Sequence, residues 1–171
     1  MSSSLFPSGT DLITDRLVLR EWPADEVAAV VGNGRLTHWA ADFPADGDRV
    51  IAGVIAEQPD AAGQYGHRQI IERASGQVVG TISLLLPPGD GALEFGYGIV
   101  ASRRGRGYAP EATRALVEFA LTLPNVHTVY ADAELSNPAS IRVLEKAGLR
   151  RVSSDATTTR FSTAAPEPDQ R

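Results

Sequence analysis

The 171-residue chain is 43% hydrophobic and 22% charged, with a formal net charge of −5, the profile of one soluble globular domain with a single substantial core. The acidic balance argues against a general nucleic-acid binder, whose footprint is usually basic, and no apolar run approaches the ~18 residues of a membrane span. The lack of cysteine excludes disulfides, thiolate nucleophiles and thiolate metal sites.

In chain order, residues 1 to about 10 are small and polar and read as a loose tail. The start, Met1-Ser2-Ser3-Ser4-Leu5-Phe6-Pro7, has no basic region and no long apolar run, so no signal peptide is evident and a cytoplasmic enzyme is expected. Leu12 to Trp22 alternates, with Leu17 and Leu19 against Arg16, Val18 and Arg20, and predicts one half-buried strand. Pro23 opens a helix that runs through Val31 and stops at Gly32-Asn33-Gly34. The irregular stretch Arg35 to Ala45 holds His38, Trp39 and Phe43, and a second helix is predicted near Gly47 to Glu57 with Val50, Ile51, Val54 and Ile55 inward. Beyond a loose Pro59 to Gly66, His67 to Arg73 and Gln77 to Leu86 flank Ala74-Ser75-Gly76 as a hairpin. Pro87 to Gly91 then turns the chain into a strand from Ala92 to Val100. These three strands make an antiparallel meander.

The next stretch, Arg103-Arg104-Gly105-Arg106-Gly107-Tyr108-Ala109-Pro110, turns that strand into a helix with an apolar stripe at Ala112, Ala115, Leu116, Phe119, Ala120 and Leu123. Pro110 suits the first helical position. No Ser, Thr, Asp or Asn stands where the N-cap belongs, so the first-turn amides lack a side-chain acceptor. Three arginines crowd the positive end of the helix. Open donors, positive charge and glycines that admit close approach describe a site for phosphates. A Walker loop is excluded because the only lysine is Lys146, and a dinucleotide fingerprint because Pro110 stands where its third glycine belongs.

After the helix, His127 to Leu135 predicts a strand. Asn137 as N-cap, Pro138 at the first position, Ile141, Leu144 and Ala147 inward and Gly148 as C-cap predict another helix. Leu149 to Asp155 and Thr157 to Ser162 form a last pair of strands, and 163–171 a frayed tail. The order is α+β, one domain over 1–171 with a core of about 12–162 and a mostly antiparallel sheet. His38, His67 and His127 show no metal spacing.

Arg104, Gly107 and Ala109 fit the pattern Arg/Gln-x-x-Gly-x-Gly/Ala, which resembles the pyrophosphate signature of the GNAT superfamily of acyl-CoA-dependent N-acyltransferases. Asn137 to Leu149 is similar to that family's Asn-x-x-Ser/Ala helix, Leu93-Glu94-Phe95-Gly96-Tyr97 to the strand before its loop, and Leu12 to Arg20 to the branch containing ribosomal-protein alanine N-acetyltransferases. The resemblance runs from about Leu12 to Phe161. It implies a mixed, mostly antiparallel sheet splayed between the fourth and fifth strands, flanked by about four helices. It further implies acetyl-CoA as co-substrate, bound along Tyr97, Gly98, Ile99 and Val100 and by Arg104, Gly105, Arg106, Gly107, Tyr108 and Ala109, with Asn137 and Arg142 assisting. The backbone amide near Ile99 would face the thioester oxygen.

Acetyl transfer needs a neutral amine, and a lysine side chain titrates near ~10.4 against ~7.7–8.0 for an α-amine. It also needs a donor for the tetrahedral oxyanion and a proton for the leaving thiolate. Glu94, on the strand entering the wedge, is the candidate base, acting through water, and Ser140 the candidate near the sulfur. Many relatives carry a tyrosine acid seven residues after the Asn, where this chain has Leu144. The expected acceptor is a primary amine, on a protein N-terminus or a small molecule. A homodimer is the assembly to test, and neither nucleic acid, membrane nor metal is expected. A catalytically silent acyl-CoA-binding module is the alternative.

Overall fold

Alternating apolar runs become strands and 3.6-periodic stripes become helices, in the order β1 (Leu12–Ile13), β2 (Leu17–Glu21), α1 (Ala24–Val31), α2 (Asp46–Glu57), β3 (His67–Glu72), β4 (Gln77–Leu84), β5 (Ala92–Ile99), α3 (Tyr108–Ala120), β6 (Thr128–Glu134), α4 (Pro138–Lys146), β7 (Arg150–Ser154) and β8 (Thr158–Ser162). The computed structural model describes residues 11–58, 66–85 and 91–163. Most of the predicted loops Pro59 to Gly66 and Pro87 to Gly91, and nearly all of both predicted tails, lie outside those residues.

The strands form one sheet in the order β1-β2-β3-β4-β5-β6-β8-β7. Every neighbouring pair is antiparallel except β5–β6, which is parallel. That pair registers only at Ala92↔Thr128, Leu93↔Val129 and Glu94↔Tyr130, after which the two strands part. The α+β class and the splayed sheet are therefore as expected. Strand alternation assigns the two faces. Gln69 and Thr81, paired in register, bond Glu26 of α1 and Asp48 of α2. Arg68, one residue away, lies against the Phe119 ring of α3. The core is thus split by the sheet, with α1 and α2 on one face and α3 and α4 on the other.

Four local expectations need correction. Leu12 to Trp22 is two strands, because the chain turns at Asp15-Arg16, where Thr14 and Arg16 bond Glu111 of α3. Leu17 and Leu19 remain fully buried. On α2 the inward face is Asp48, Ala52 and Ile55, whereas Val50 is 64% exposed. Helix α3 begins at Tyr108, with Gly107 (φ 84°) as N-cap, so Pro110 is its third residue. It still lies in the first turn, where a missing N–H costs nothing. Helix α4 ends with Ala147 as C-cap and Gly148 (φ 94°) just beyond, the left-handed position that glycine fills without strain.

Candidate functional site

A cavity of about 590 Å³ opens where β5 and β6 part, walled by β5, the loop before α3 and one side of α4. On β5, Glu94 O accepts from Leu85 N at 2.8 Å and Val100 N donates to Val79 O at 2.9 Å. An antiparallel ladder spends alternate residues on one neighbour, so Phe95, Tyr97 and Ile99 turn their backbone groups into the wedge. This corrects two expectations: the Val100 amide is already bonded to β4, and Gly98, on the same side of the ladder, faces β4 as well.

At the deep end, Gly105 and Gly107 take φ of 80° and 84°. This left-handed backbone turns successive amides toward one concavity. Among the described residues, none of the amides from Gly105 to Ala109 has a hydrogen-bond partner. The loop is held from behind. Arg16 donates to Arg106 O at 2.8 Å, pairs with Glu111 at 2.7 Å and lies over the Tyr108 ring. Glu72, buried, accepts from Tyr108 Oη at 2.6 Å and from Arg103 at 3.3 Å, with Arg106 at 3.4 Å. Burial alone would raise the Glu72 carboxyl. Hydrogen bonds from Ser75 and Tyr108, with the Arg103 charge, outweigh it and hold the group below the usual carboxylate range.

The arginines are therefore not equivalent. Arg103, one of the three loop arginines but outside the expected ligand set, lines the cavity but is tied to Glu72 and Gln77. Arg106 turns toward Glu72 and is not in the lining. Arg104 lines the cavity, its Nε on Ile99 O at 2.9 Å. Arg142 and Lys146 of α4 also line it, without an ion pair among the described residues. Lys146 was missed because a lone lysine near a helix C-terminus reads as a partner of the dipole.

Across the wedge, Tyr97 Oη and Ser140 Oγ lie 2.8 Å apart. The Tyr97 ring stacks on Phe95, and burial pushes its phenol above the ordinary value, with the Ser140 bond partly offsetting it. Asn137 lines the cavity, and its side chain accepts from Ser140 N at 3.1 Å, the cap expected of it. Leu144 is fully buried. Glu94 stands apart. It shares a strand face with Gly96 and Gly98 but is not in the cavity lining, and it registers with Tyr130, whose ring carries Arg160 at 4.3 Å.

A second cavity of about 380 Å³ lies on the α2 face of β5, sharing Gly96, Tyr97, Gly98, Ile99 and Arg104 with the first. Besides the shared Tyr97 and Arg104, its polar side chains are Asp48, Thr81 and Ser83. No cluster of metal-binding side chains occurs among the described residues, and no helix among them is long and apolar enough to cross a membrane.

Residues 16–150 match the model of a family described as an acetyltransferase (GNAT) domain. The uncharacterized N-acetyltransferase YnaD of Bacillus subtilis (strain 168) is 30% identical over 143 residues, 82% of each chain. The uncharacterized N-acetyltransferase p20 of Bacillus licheniformis is 30% identical over 95 residues, 52% of this chain, and the match spans 53% of p20. The structure of RimL, a ribosomal L7/L12 alpha-N-protein acetyltransferase in complex with coenzyme A, is similar with a TM-score of 0.64 at 16% identity, covering 90% of this chain and 97% of RimL. That last likeness is one of fold.

Proposed function

The chain belongs to the GNAT acetyltransferase family, and we propose that it moves an acetyl group from acetyl-CoA to a primary amine by direct attack in a ternary complex, as a cytoplasmic enzyme. The observation that carries this reading is the wedge itself. The backbone groups of Tyr97 and the Ile99 amide are left open beside β6, while Ile99 O is taken by Arg104, and the wedge leads to a loop of unbonded amides.

Acetyl-CoA supplies an activated thioester. The amides of Gly105 to Ala109 and the Arg104 guanidinium bind its diphosphate, as helix N-termini and glycine loops bind anions. Arg142 and Lys146 add charge on the α4 side. Tyr97 holds the pantetheine arm by pairing with it as a strand would, and the Ile99 amide stabilises the oxyanion. Glu94, on the acceptor face, takes one proton from the ammonium through water. The neutral nitrogen then forms the N–C bond as the C–S bond breaks. Ser140, with Tyr97 behind it, protonates the thiolate, and the second nitrogen proton replaces the one Ser140 gave. This pair does the work of the tyrosine acid that Leu144 replaces.

The test is to incubate the protein with acetyl-CoA and a panel of α-amine and alkylamine acceptors and to measure free thiol. Thiol release that requires an amine is expected, with Ser140→Ala and Glu94→Gln each lowering turnover by ~10²–10⁴-fold at unchanged acetyl-CoA affinity. Binding without release on any acceptor would instead make the chain a silent acyl-CoA-binding module.

A further inference from the structure

In the second cavity a buried carboxylate makes no ion pair, although Arg104, held by Ile99 O, also lines the space. Asp48 is 5% exposed and lines the cavity. Its carboxylate accepts from Ala45 N at 2.8 Å and from Thr81 Oγ1 at 2.7 Å, leaving lone pairs unused. No cation pairs with it among the described residues. The bond to Ala45 is a helix cap, but capping is done as well by an exposed carboxylate and does not require burial. The surroundings of Asp48 are shaped around empty space. Thr81 registers with Gly98 and Ser83 with Gly96, so two glycines form the floor opposite it. A Cβ at Gly98 would meet nothing within 4 Å. The same glycines border the wedge, so a group on this floor lies one strand's thickness from the arm-binding edge.

We infer that this cavity is the berth of the acceptor and that Asp48 is the counter-charge met there by the protonated amine of a slim, unbranched chain. The inference rests on the acetyl-transfer reading above and names the acceptor class for it. Asp48 is an anchor: it stays ionised and holds the remaining N–H groups while one proton leaves through water toward Glu94. The two neighbouring basic side chains leave Asp48 without an ion pair. Arg104 is held by Ile99 O at the loop end, and His67 lies behind Ser83 at 2.7 Å, its imidazole driven toward the neutral form by burial. Burial also raises the Asp48 carboxyl, with the bonds from Thr81 and Ala45 partly offsetting this, as it must where no cation is supplied by the protein.

The test uses isotope-labelled, CoA-loaded full-length protein, with the Gly96 and Gly98 amide resonances followed during titration with pentylamine and with pentanol. Pentylamine should shift both resonances, with pentanol at least ~10-fold weaker, the scale of a charge-assisted hydrogen bond. Asp48→Asn should erase that preference and raise the acceptor KM more than it lowers kcat, at unchanged CoA affinity. Gly47→Phe provides a second variant in case Asp48→Asn unfolds. Gly47 lines this cavity and not the first, an added Cβ there meets nothing within 4 Å, and losing a helix glycine favours the helix. It should block pentylamine while CoA still binds. Equal shifts from amine and alcohol, an unaffected Asp48→Asn, or pentylamine binding that survives Gly47→Phe would each overturn the inference. If wild type releases no thiol yet binds pentylamine through Asp48, the transfer reading fails and the berth stands.

Discussion

Glu72 and Asp48 are acidic residues buried to the same 5% exposure, one behind the phosphate loop and one in the acceptor cavity. Desolvation pushes both carboxyls up. At Glu72, hydrogen bonds from Ser75, Tyr108 and Arg103 and the Arg103 charge reverse the push, and the group ends below its ordinary value. At Asp48, two neutral hydrogen bonds do not, and it ends above. Burial is therefore no sign of function by itself. Glu72 is part of the scaffold because its charge is answered inside the protein, whereas the charge on Asp48 is left for something else to answer.

The comparison breaks most readily at Glu72. Removing it with Glu72→Ala leaves Arg103 without its carboxylate and Tyr108 Oη without an acceptor. We expect a loss of about 2–4 kcal/mol in urea unfolding, and a loss below about 1 kcal/mol would mean the cluster merely decorates the loop. Next in size is the division of labour among the arginines. Arg104→Ala should weaken CoA binding about 10-fold, with a salt-sensitive remainder. Arg106→Ala should cost clearly less, since that side chain faces Glu72. Equal losses in calorimetric titration would show that Glu72 does not reserve Arg106.

Asp48→Asn should change stability by less than about 1 kcal/mol in either direction, because a desolvated charge and part of a cap are lost together. A drop as large as that of Glu72→Ala would make Asp48 scaffold as well. The smallest effect concerns acid. With a folded value below the unfolded one, Glu72 contributes fully above about pH 4.3 and its contribution fades as pH falls through the folded value. With a folded value above the unfolded one, Asp48 takes up a proton on folding, so its cost is relieved as pH falls through its folded value. Wild type should thus hold its urea midpoint further into mild acid than Asp48→Asn does. Superimposable profiles would remove the distinction.

The parts of the molecule legible from sequence were those fixed by neighbours in the chain. Asn137, Pro138 and Gly148 specified α4 almost end to end, and the glycine-spaced arginines marked the loop. What escaped was fixed at a distance. Nothing near Asp15 announces a turn, because Glu111, far along the chain, anchors it. The valines of α2 matched a helical period but not the side that packs. The missed signal was a polar residue inside a stripe: Asp48, Ala52 and Ile55 share a face. Within the loop, three arginines looked alike until Glu72, more than 30 residues upstream, sorted them.

The parting of β5 from β6 also bears on cooperativity. Past Glu94, no backbone rung among the described residues ties β6, β8 and β7 to the rest of the sheet. The C-terminal strands are joined to the remainder through three registered residues and through the helices, so they form a natural sub-global unfolding unit. On the proposed reading, a pantetheine arm lying between the halves would add the missing rungs. The co-substrate then becomes part of the sheet, and amide exchange in Thr128–Glu134 should slow when CoA is bound, far more than in β3. For the same reason, partial opening of this half should be the route by which spent co-substrate loosens its hold.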